Sequence, residues 1–182
     1  MEFSLQPILQ DEFVRLSPLQ EDEFEPLFAV ASDPLIWQQH PVPTRYQLEV
    51  FSNYFKGAIE SKGAFGIHDV VTNEIIGSTR FYDYDKNQGS ILIGYTFIAR
   101  KYWGKSYNYR IKKLMLDYAF QFLGKVLFHI GVNNTRSRIA MERLGGVLVG
   151  TLDTAYYGEA SNENCIYQIK KEDWITQRVV HS

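Results

Sequence analysis

The chain has a single cysteine, Cys165, among 182 residues. An internal disulfide is therefore excluded, packing alone must hold the fold, and a lone thiol fits a reducing, cytoplasmic compartment. An excess of one charge is also missing. Nineteen Lys and Arg oppose 21 Asp and Glu, for a formal net charge of −2, so nothing favours nucleic acid or an anionic membrane as partner. Apolar runs stop short of the length that crosses a bilayer. Met1-Glu-Phe-Ser-Leu-Gln-Pro7 has neither the basic start nor the apolar stretch of a signal peptide. The four histidines are scattered, without metal-ligand spacing. Gly104-Lys105-Ser106 lacks the earlier glycine of a Walker loop, which removes nucleotide hydrolysis. No repeat, low-complexity tract or linker divides the chain, so residues 1–182 read as one domain.

Aromatic residues, by contrast, reach 15%. That surplus is open to three readings: a lined pocket, an interface such as a homodimer contact, or an aromatic core. Phe13–Leu16 reads as a first strand. Ser17-Pro18-Leu19-Gln20 then combines an N-cap, a proline at the first helical position and a capping-box glutamine, predicting a helix to about Ala31 that Pro26 kinks or shortens. Ser32-Asp33-Pro34 breaks the pattern, and Trp37–Pro43 reads as a loop. Thr44–Gln47 is a second capping box, opening a helix whose stripe is Leu48, Phe51, Tyr54, Phe55, Ala58 and Ile59. Ala64–Val70 and Ile75–Tyr82 form a hairpin around Val71–Glu74. Val126–Val132 reads as a strand, Asn133–Ser137 as capping material for a helix stopped by Gly145-Gly146, and Val147–Ala155 and Asn164–Lys170 as the last strands.

The organising stretch is Arg100-Lys-Tyr-Trp-Gly-Lys-Ser-Tyr107. Before it, Ser90–Ile98 is an apolar, β-branched strand. After it, Tyr107, Ile111, Leu114, Met115, Tyr118 and Phe122 recur at helical spacing. A helix start has unpaired N–H groups and the positive end of the dipole, a natural seat for phosphate. Gly104 permits close approach of the backbone, and Arg100, Lys101 and Lys105 add charge. The strand–helix–strand unit through Val132 predicts a parallel pair with a right-handed crossover. The fold class is α+β, with a sheet antiparallel in its first part and parallel at the loop.

The order of these pieces resembles the GNAT superfamily of acetyl-CoA-dependent N-acetyltransferases, and within it the RimJ/RimL type that acetylates ribosomal-protein N-termini. The residues that carry the likeness are Ile93-Gly-Tyr95, Tyr102-Trp-Gly-Lys105, Ala119-Phe120, Asn134-x-x-Ser137-Arg138 and Met141-Glu-Arg-Leu-Gly145 before Gly150, spread over residues 11–175. The resemblance implies a GNAT-like acyl-CoA N-acyltransferase fold with acetyl-CoA as cosubstrate. It places Phe97, Ile98 and Ala99 beside the pantetheine, and Lys101, Tyr102, Trp103, Gly104, Lys105, Ser106 and Tyr107 around the phosphates. It also implies that the parallel strands splay apart and hold the thioester between them. Asn134 matches a cofactor-binding asparagine, and Ser137 matches a serine near the sulfur.

The sequence departs from that pattern in places. Ser106 stands where a glycine or alanine is usual, and serine is uneasy at positive φ. Asn108 and Arg110 replace a small residue and a glutamate. Met141 sits at the position of a tyrosine acid, and Tyr156 at that of a glutamate base. Amine acetylation needs a neutral amine, a polarised carbonyl and a proton for the thiolate. A backbone N–H near Phe97 or Ile98 would serve the carbonyl, and Ser137 the thiolate, unless Ser137 only caps its helix. For the base the candidates are Asp83, which like Asp85 also reads as a turn former, and Tyr156 with Tyr157. His129, His40, Glu159 and Glu163 read more simply as structural, loop or solvent-facing groups. The expected function is transfer of acetyl from acetyl-CoA to a primary amine, small or at a protein N-terminus, by direct attack in a ternary complex. The alternative is a non-catalytic acyl-CoA-binding module.

Overall fold

The computed structural model describes residues 2–155 and 160–180, with side chains to residue 176. One eight-stranded sheet runs through it in the order β1-β2-β3-β4-β5-β6-β8-β7. The first five strands are β1 (Leu9–Gln10), β2 (Val14–Pro18), β3 (Ala64–Asp69), β4 (Ile75–Asp85) and β5 (Ser90–Ile98). Each is antiparallel to the next. Strand β5 then pairs parallel with β6 (Lys125–Gly131), the crossover being helix α4 (Tyr107–Ala119). Beyond α5 (Thr135–Arg143), β7 (Val147–Thr154) and β8 (Asn162–Lys170) form a hairpin, with β8 against β6. The expected mixed sheet, antiparallel first and parallel at the loop, is therefore present.

Two apolar layers cover the sheet. On one face α4 sets Ile111, Met115, Leu116 and Ala119 against Phe65, Ile67, Phe81, Ile91 and Phe128, all buried. On the other, α1 (Phe24–Ala31), α2 (Pro34–Trp37) and α3 (Leu48–Glu60) gather Leu27, Trp37, Phe51 and Tyr54 around Phe97. Each such side chain contributes about 1.5–3 kcal/mol by leaving water. The aromatic surplus is used largely here. Phe24, Phe28, Phe51 and Phe55 contact one another edge-on, tilted or stacked, and Phe3 sits among Phe81, Tyr84, Tyr118 and Phe122.

Several boundaries differ from the sequence reading, each for a local reason. Ser17 and Pro18 finish β2, because Ser17 pairs with Gly66 and Pro18 with Phe65. The capping box lies three residues later. Gln20 N–H donates to Glu23 Oε2 at 2.8 Å, opening a 3-10 turn over Glu21–Glu23. Pro26 falls in the first turn of α1, where its missing N–H costs nothing, and the helix is short, running from Phe24 to Ala31. Asp33-Pro34 is a helix start rather than a break: Asp33 Oδ1 accepts from the Leu35 amide at 3.0 Å and Pro34 occupies the first turn of α2. Gln47, not Thr44, is the residue before α3, and no side chain caps it. A final helix, α6 (Lys171–Val180), buries Trp174, whose Nε1–H donates to Asp117 Oδ1 of α4.

Candidate functional site

The site begins as a defect in β5. Ser78 of β4 pairs with Phe97, but Arg80 pairs with Gly94, so Tyr95 and Thr96 together oppose Thr79. This is a bulge, and Tyr95 takes φ +53°, the left-handed region, to make it. The hydroxyl of Tyr54 on α3 donates to the Tyr95 carbonyl at 2.9 Å and holds the turn. Parallel pairing with β6 covers only Ser90–Lys125, Ile91–Val126 and Leu92–Leu127. Past that rung the strands part, and a cleft of about 770 Å³ opens between them. The splayed fork that the resemblance implied is thus built by a bulge.

At the open end of the fork lies the Arg100–Tyr107 loop. Gly104 has φ +72° and Ser106 has φ +64°. Alternating left-handed residues curl a backbone into a concave row of N–H groups, an anion-binding nest. Among the described residues the Gly104 and Ser106 amides reach no acceptor, and no side chain caps α4. Tyr107 Oη donates to Asp69 Oδ2 at 3.1 Å, fixing the loop to the β3–β4 hairpin. The basic residues do less than the sequence suggested. Arg100 is paired with Asp33 on α2, and Lys101 Nζ lies 3.1 Å from Glu74 Oε2. Backbone amides at a helix start are therefore the main phosphate-seeking feature.

Of the residues expected around the cofactor, Tyr102, Trp103, Gly104, Ser106 and Tyr107 line the cleft at the loop. Phe97 and Ile98 line it on β5, and Asn134 and Ser137 on the opposite wall. Ala99, Lys101 and Lys105 are not in the lining: the Ala99 amide donates to Ile76 O at 2.8 Å, and Lys101 faces Glu74. The Phe97 ring packs into the α3 layer against Trp37, Phe51 and Tyr54. Trp103 Nε1–H donates to Ile98 O at 3.1 Å and occupies that carbonyl.

Across the fork, Asn134 begins α5. Its Oδ1 accepts from the Ser137 amide at 3.2 Å. Asn134, not Ser137, is the cap, and no hydrogen bond engages the Ser137 hydroxyl among the described residues. Met141 is buried on the same helix and borders the cleft. Arg136 reaches over the mouth: its guanidinium lies 4.0 Å from the Trp103 ring centre and donates to Ile36 O. On the α3 side Arg45 is buried under Tyr54, 4.9 Å from its ring centre, with His40 Nε2 3.3 Å away. Burial lowers the Arg45 pKa to about 10, and burial beside Arg45 and Arg136 keeps His40 neutral, well below its usual pKa.

The base candidates separate. Asp85 is a turn former, accepting from the Asn87 and Gln88 amides. Asp83 is exposed, has φ +49° and is absent from the cleft lining. His129 does line the cleft. Burial lowers its pKa, opposed by the charge of Asp83. Tyr156, Tyr157 and Glu159 lie outside the described residues, and Glu163 is exposed on β8.

Sequence reasoning missed the basic side chains that line the cleft, Arg45, Arg136, Arg143 and above all Lys112. Lys112 of α4 is buried, and its Nζ donates to Thr96 Oγ1 in the β5 bulge. Thr96 Oγ1 in turn lies 2.8 Å from Thr79 Oγ1. The Phe128 ring centre of β6 is 5.9 Å from Nζ. Burial alone lowers the Lys112 pKa to about 7. The signal was present in the sequence, since Lys112, Leu116 and Ala119 share one buried helix face at spacings of four and three.

Two stability outcomes follow from these strained and buried groups. Ser106→Gly removes a left-handed β-carbon and is expected to stabilise the fold by about 0.5–1 kcal/mol in urea denaturation. Lys112 binds fewer protons folded than unfolded between pH 7, its folded value, and roughly 10.4, the unperturbed lysine value. Its contribution therefore makes stability rise with pH across that window and stay flat below it. In Lys112→Met, denaturation between pH 7 and 9 is expected to show a stabler protein whose slope with pH is reduced; an unchanged slope would contradict a buried, neutral-leaning amine.

Residues 14–147 match the family model described as the Acetyltransferase (GNAT) domain. Among solved structures, a GCN5-related N-acetyltransferase from Brucella melitensis aligns with TM-score 0.77 at 20% identity, covering 93% of this chain and 81% of that one. The microcin C7 self-immunity acetyltransferase MccE, in complex with acetyl-CoA and AMP, aligns at TM-score 0.71 and 15% identity over 88% and 93% of the two chains. Spermidine N-acetyltransferase from Vibrio cholerae, in complex with CoA and spermine, gives 0.67 and 17% over 91% and 99%. At such identities the likeness concerns the fold. No curated protein sequence matches the chain significantly. The family match spans most of the chain and contains both the bulged strand and the nest at the start of α4, and on that ground the chain belongs to the GNAT family of acetyltransferases.

Proposed function

We propose that the protein transfers an acetyl group from acetyl-CoA to a primary amine by direct attack within the fork. The observation that carries this reading is the fork itself, a cleft between parted parallel strands that leads to a nest of free amides. The lining suits a long polyanionic thioester. Arg45, Lys112, Arg136 and Arg143 border it, and among the described residues no aspartate or glutamate does. The Gly104 and Ser106 amides would hold the pyrophosphate, with the positive end of α4 behind them.

When bound, acetyl-CoA supplies the activated acyl group. The protein has to polarise its carbonyl and protonate the departing thiolate. Backbone N–H groups beside the bulge, near Phe97 and Ile98, serve the first task. The uncommitted Ser137 hydroxyl serves the second, since Asn134 has taken over capping. His129, kept neutral by burial on the opposite strand, is the described group best disposed to accept the amine proton. Asp83, outside the lining, is left to act through its field on His129.

The acceptor is a primary amine, a small molecule or a protein N-terminus as in RimJ/RimL-type enzymes. The absence of carboxylates from the described lining favours an acceptor with one cationic amine over a polyamine. Two copies pairing through edge strand β7, where Val147, Leu148 and Val149 are exposed, is the supported form of a homodimer. No helix among the described residues is long and apolar enough to cross a membrane, and the cytoplasm suits the buried, unpaired Cys165.

Calorimetric titration with acetyl-CoA tests the site. The parent is expected to bind and Gly104→Asp to lose binding, because the position has open space for a side chain but puts a negative charge into the nest at positive φ. Failure of the folded parent to bind overturns the proposal. With a panel of amines and release of CoA as readout, Ser137→Ala is expected to keep its affinity for acetyl-CoA and to lose turnover by about 100-fold. Equal turnover would remove Ser137 from the chemistry.

A further inference from the structure

The fork contains a primary amine of its own. Beyond the last paired rung, Leu92–Leu127, the strands are bridged by Lys112, whose Nζ bonds Thr96 on β5 and faces the Phe128 ring on β6. The side chain is buried, borders the cleft and, among the described residues, has no carboxylate partner. Around its Nζ are Thr96 on β5, with Thr79 of β4 behind it, and the Phe128 ring on β6; the titratable groups that line the same cleft from the neighbouring elements are Tyr82 on β4, His129 on β6 and Arg143 on α5. On α4 itself, Lys113 is turned to Asp117, 2.8 Å away. Nothing in that set holds Lys112 as an ammonium ion through an opposed charge.

We propose that Lys112 is a self-acetylation site, its Nζ taking the acetyl group of acetyl-CoA bound in the fork. The inference rests on the proposed function in one respect, that the thioester occupies the space between β5 and β6. In the step, the Nζ lone pair forms a bond to the acetyl carbonyl carbon and the carbon–sulfur bond breaks. The nitrogen sheds one proton and the leaving thiolate takes one up, so the products are Nε-acetyl-Lys112 and coenzyme A. Ordinary lysines are protonated at neutral pH and react slowly. Lys112 escapes that limit, because burial puts its pKa near 7. The product amide is uncharged and fills the fork, so each acetylated molecule has its acyl slot narrowed.

The test needs no amine acceptor. The purified protein is incubated with acetyl-CoA between pH 6 and 9, digested, and acetylation at Lys112 is compared with that at exposed Lys56 by mass spectrometry. Lys112 is expected to be labelled faster, with saturation in acetyl-CoA and loss of labelling under excess coenzyme A, which has no acyl group to give. From pH 6 to 8 its rate should climb about 10-fold and then level, whereas an ordinary lysine climbs about 100-fold without levelling. Acetyl-CoA that binds by calorimetry but leaves Lys112 unmodified, or modifies it only in heat-unfolded protein, overturns the self-acetylation inference and leaves the transferase reading intact. No binding overturns both. Lys112→Arg, which keeps a cation but no nucleophilic amine, is expected to bind acetyl-CoA while losing the label at that position; persistence of the fast-labelled species in this variant would assign it to another residue.

Discussion

One hydrogen bond and one strained residue hold the fork open. Tyr54 on α3 donates to the carbonyl of Tyr95, which sits in the left-handed region as part of the β5 bulge. A non-glycine residue held there carries a cost of order 1–3 kcal/mol, sustained only when surrounding packing over-determines it. Here the surroundings do so: Arg80 lies 4.1 Å over the Tyr95 ring and the aromatic layer around Phe51 and Trp37 backs Tyr54. The sheet thus gives up ladder hydrogen bonds between β5 and β6 at the place where a ligand would make them. Stability in the two layers supports a site that is itself locally unfavourable.

The same economy governs the anion site. Charge on the loop is committed to structure, Arg100 to Asp33 and Lys101 to Glu74, and neither side chain lines the cleft. Such exposed pairs contribute little to stability, about 0–1 kcal/mol each. They do orient the loop, tethering it to α2 on one side and the β3–β4 hairpin on the other. A nest of amides recognises a phosphate by shape and partial charge, without the rotamer freedom that a lysine would have to lose.

Much of this was legible in the chain. The apolar run Ser90–Ile98, the glycine at 104 and the periodic face from Ile111 predicted strand, turn and helix, and their order with Asn134 and Ser137 predicted the family. What escaped was whatever depends on partners distant in sequence. Ser17-Pro18 carries a strong helix-start pattern, yet pairing with Phe65 and Gly66 overrides it. Asp33-Pro34 looks like a break until Trp37 is seen buried in the second layer, with its indole N–H on Ala31 O. Lys112 was hidden because a helical lysine is presumed to face water, and only the fork, where its Nζ meets Thr96, gives its position a meaning. Ser106 was rightly marked as an awkward residue for its turn, and it adopts the awkward φ. The charge expected of Lys101 and Lys105 follows from their place in the loop, and neither is in the lining.

A consequence for protein engineering lies in Gly77. A β-carbon there would come 2.1 Å from the Phe97 carbonyl oxygen and 2.9 Å from the Ile98 α-carbon. Strand β4 can approach β5 that closely only with no side chain between them, and the approach is made beside the bulge. The width of the fork is therefore governed from behind, by Gly77 and Tyr54, neither of which borders the cleft. Variants meant to widen the fork belong in this rear support, where a small displacement of one strand changes the room available without altering any residue that lines the cleft.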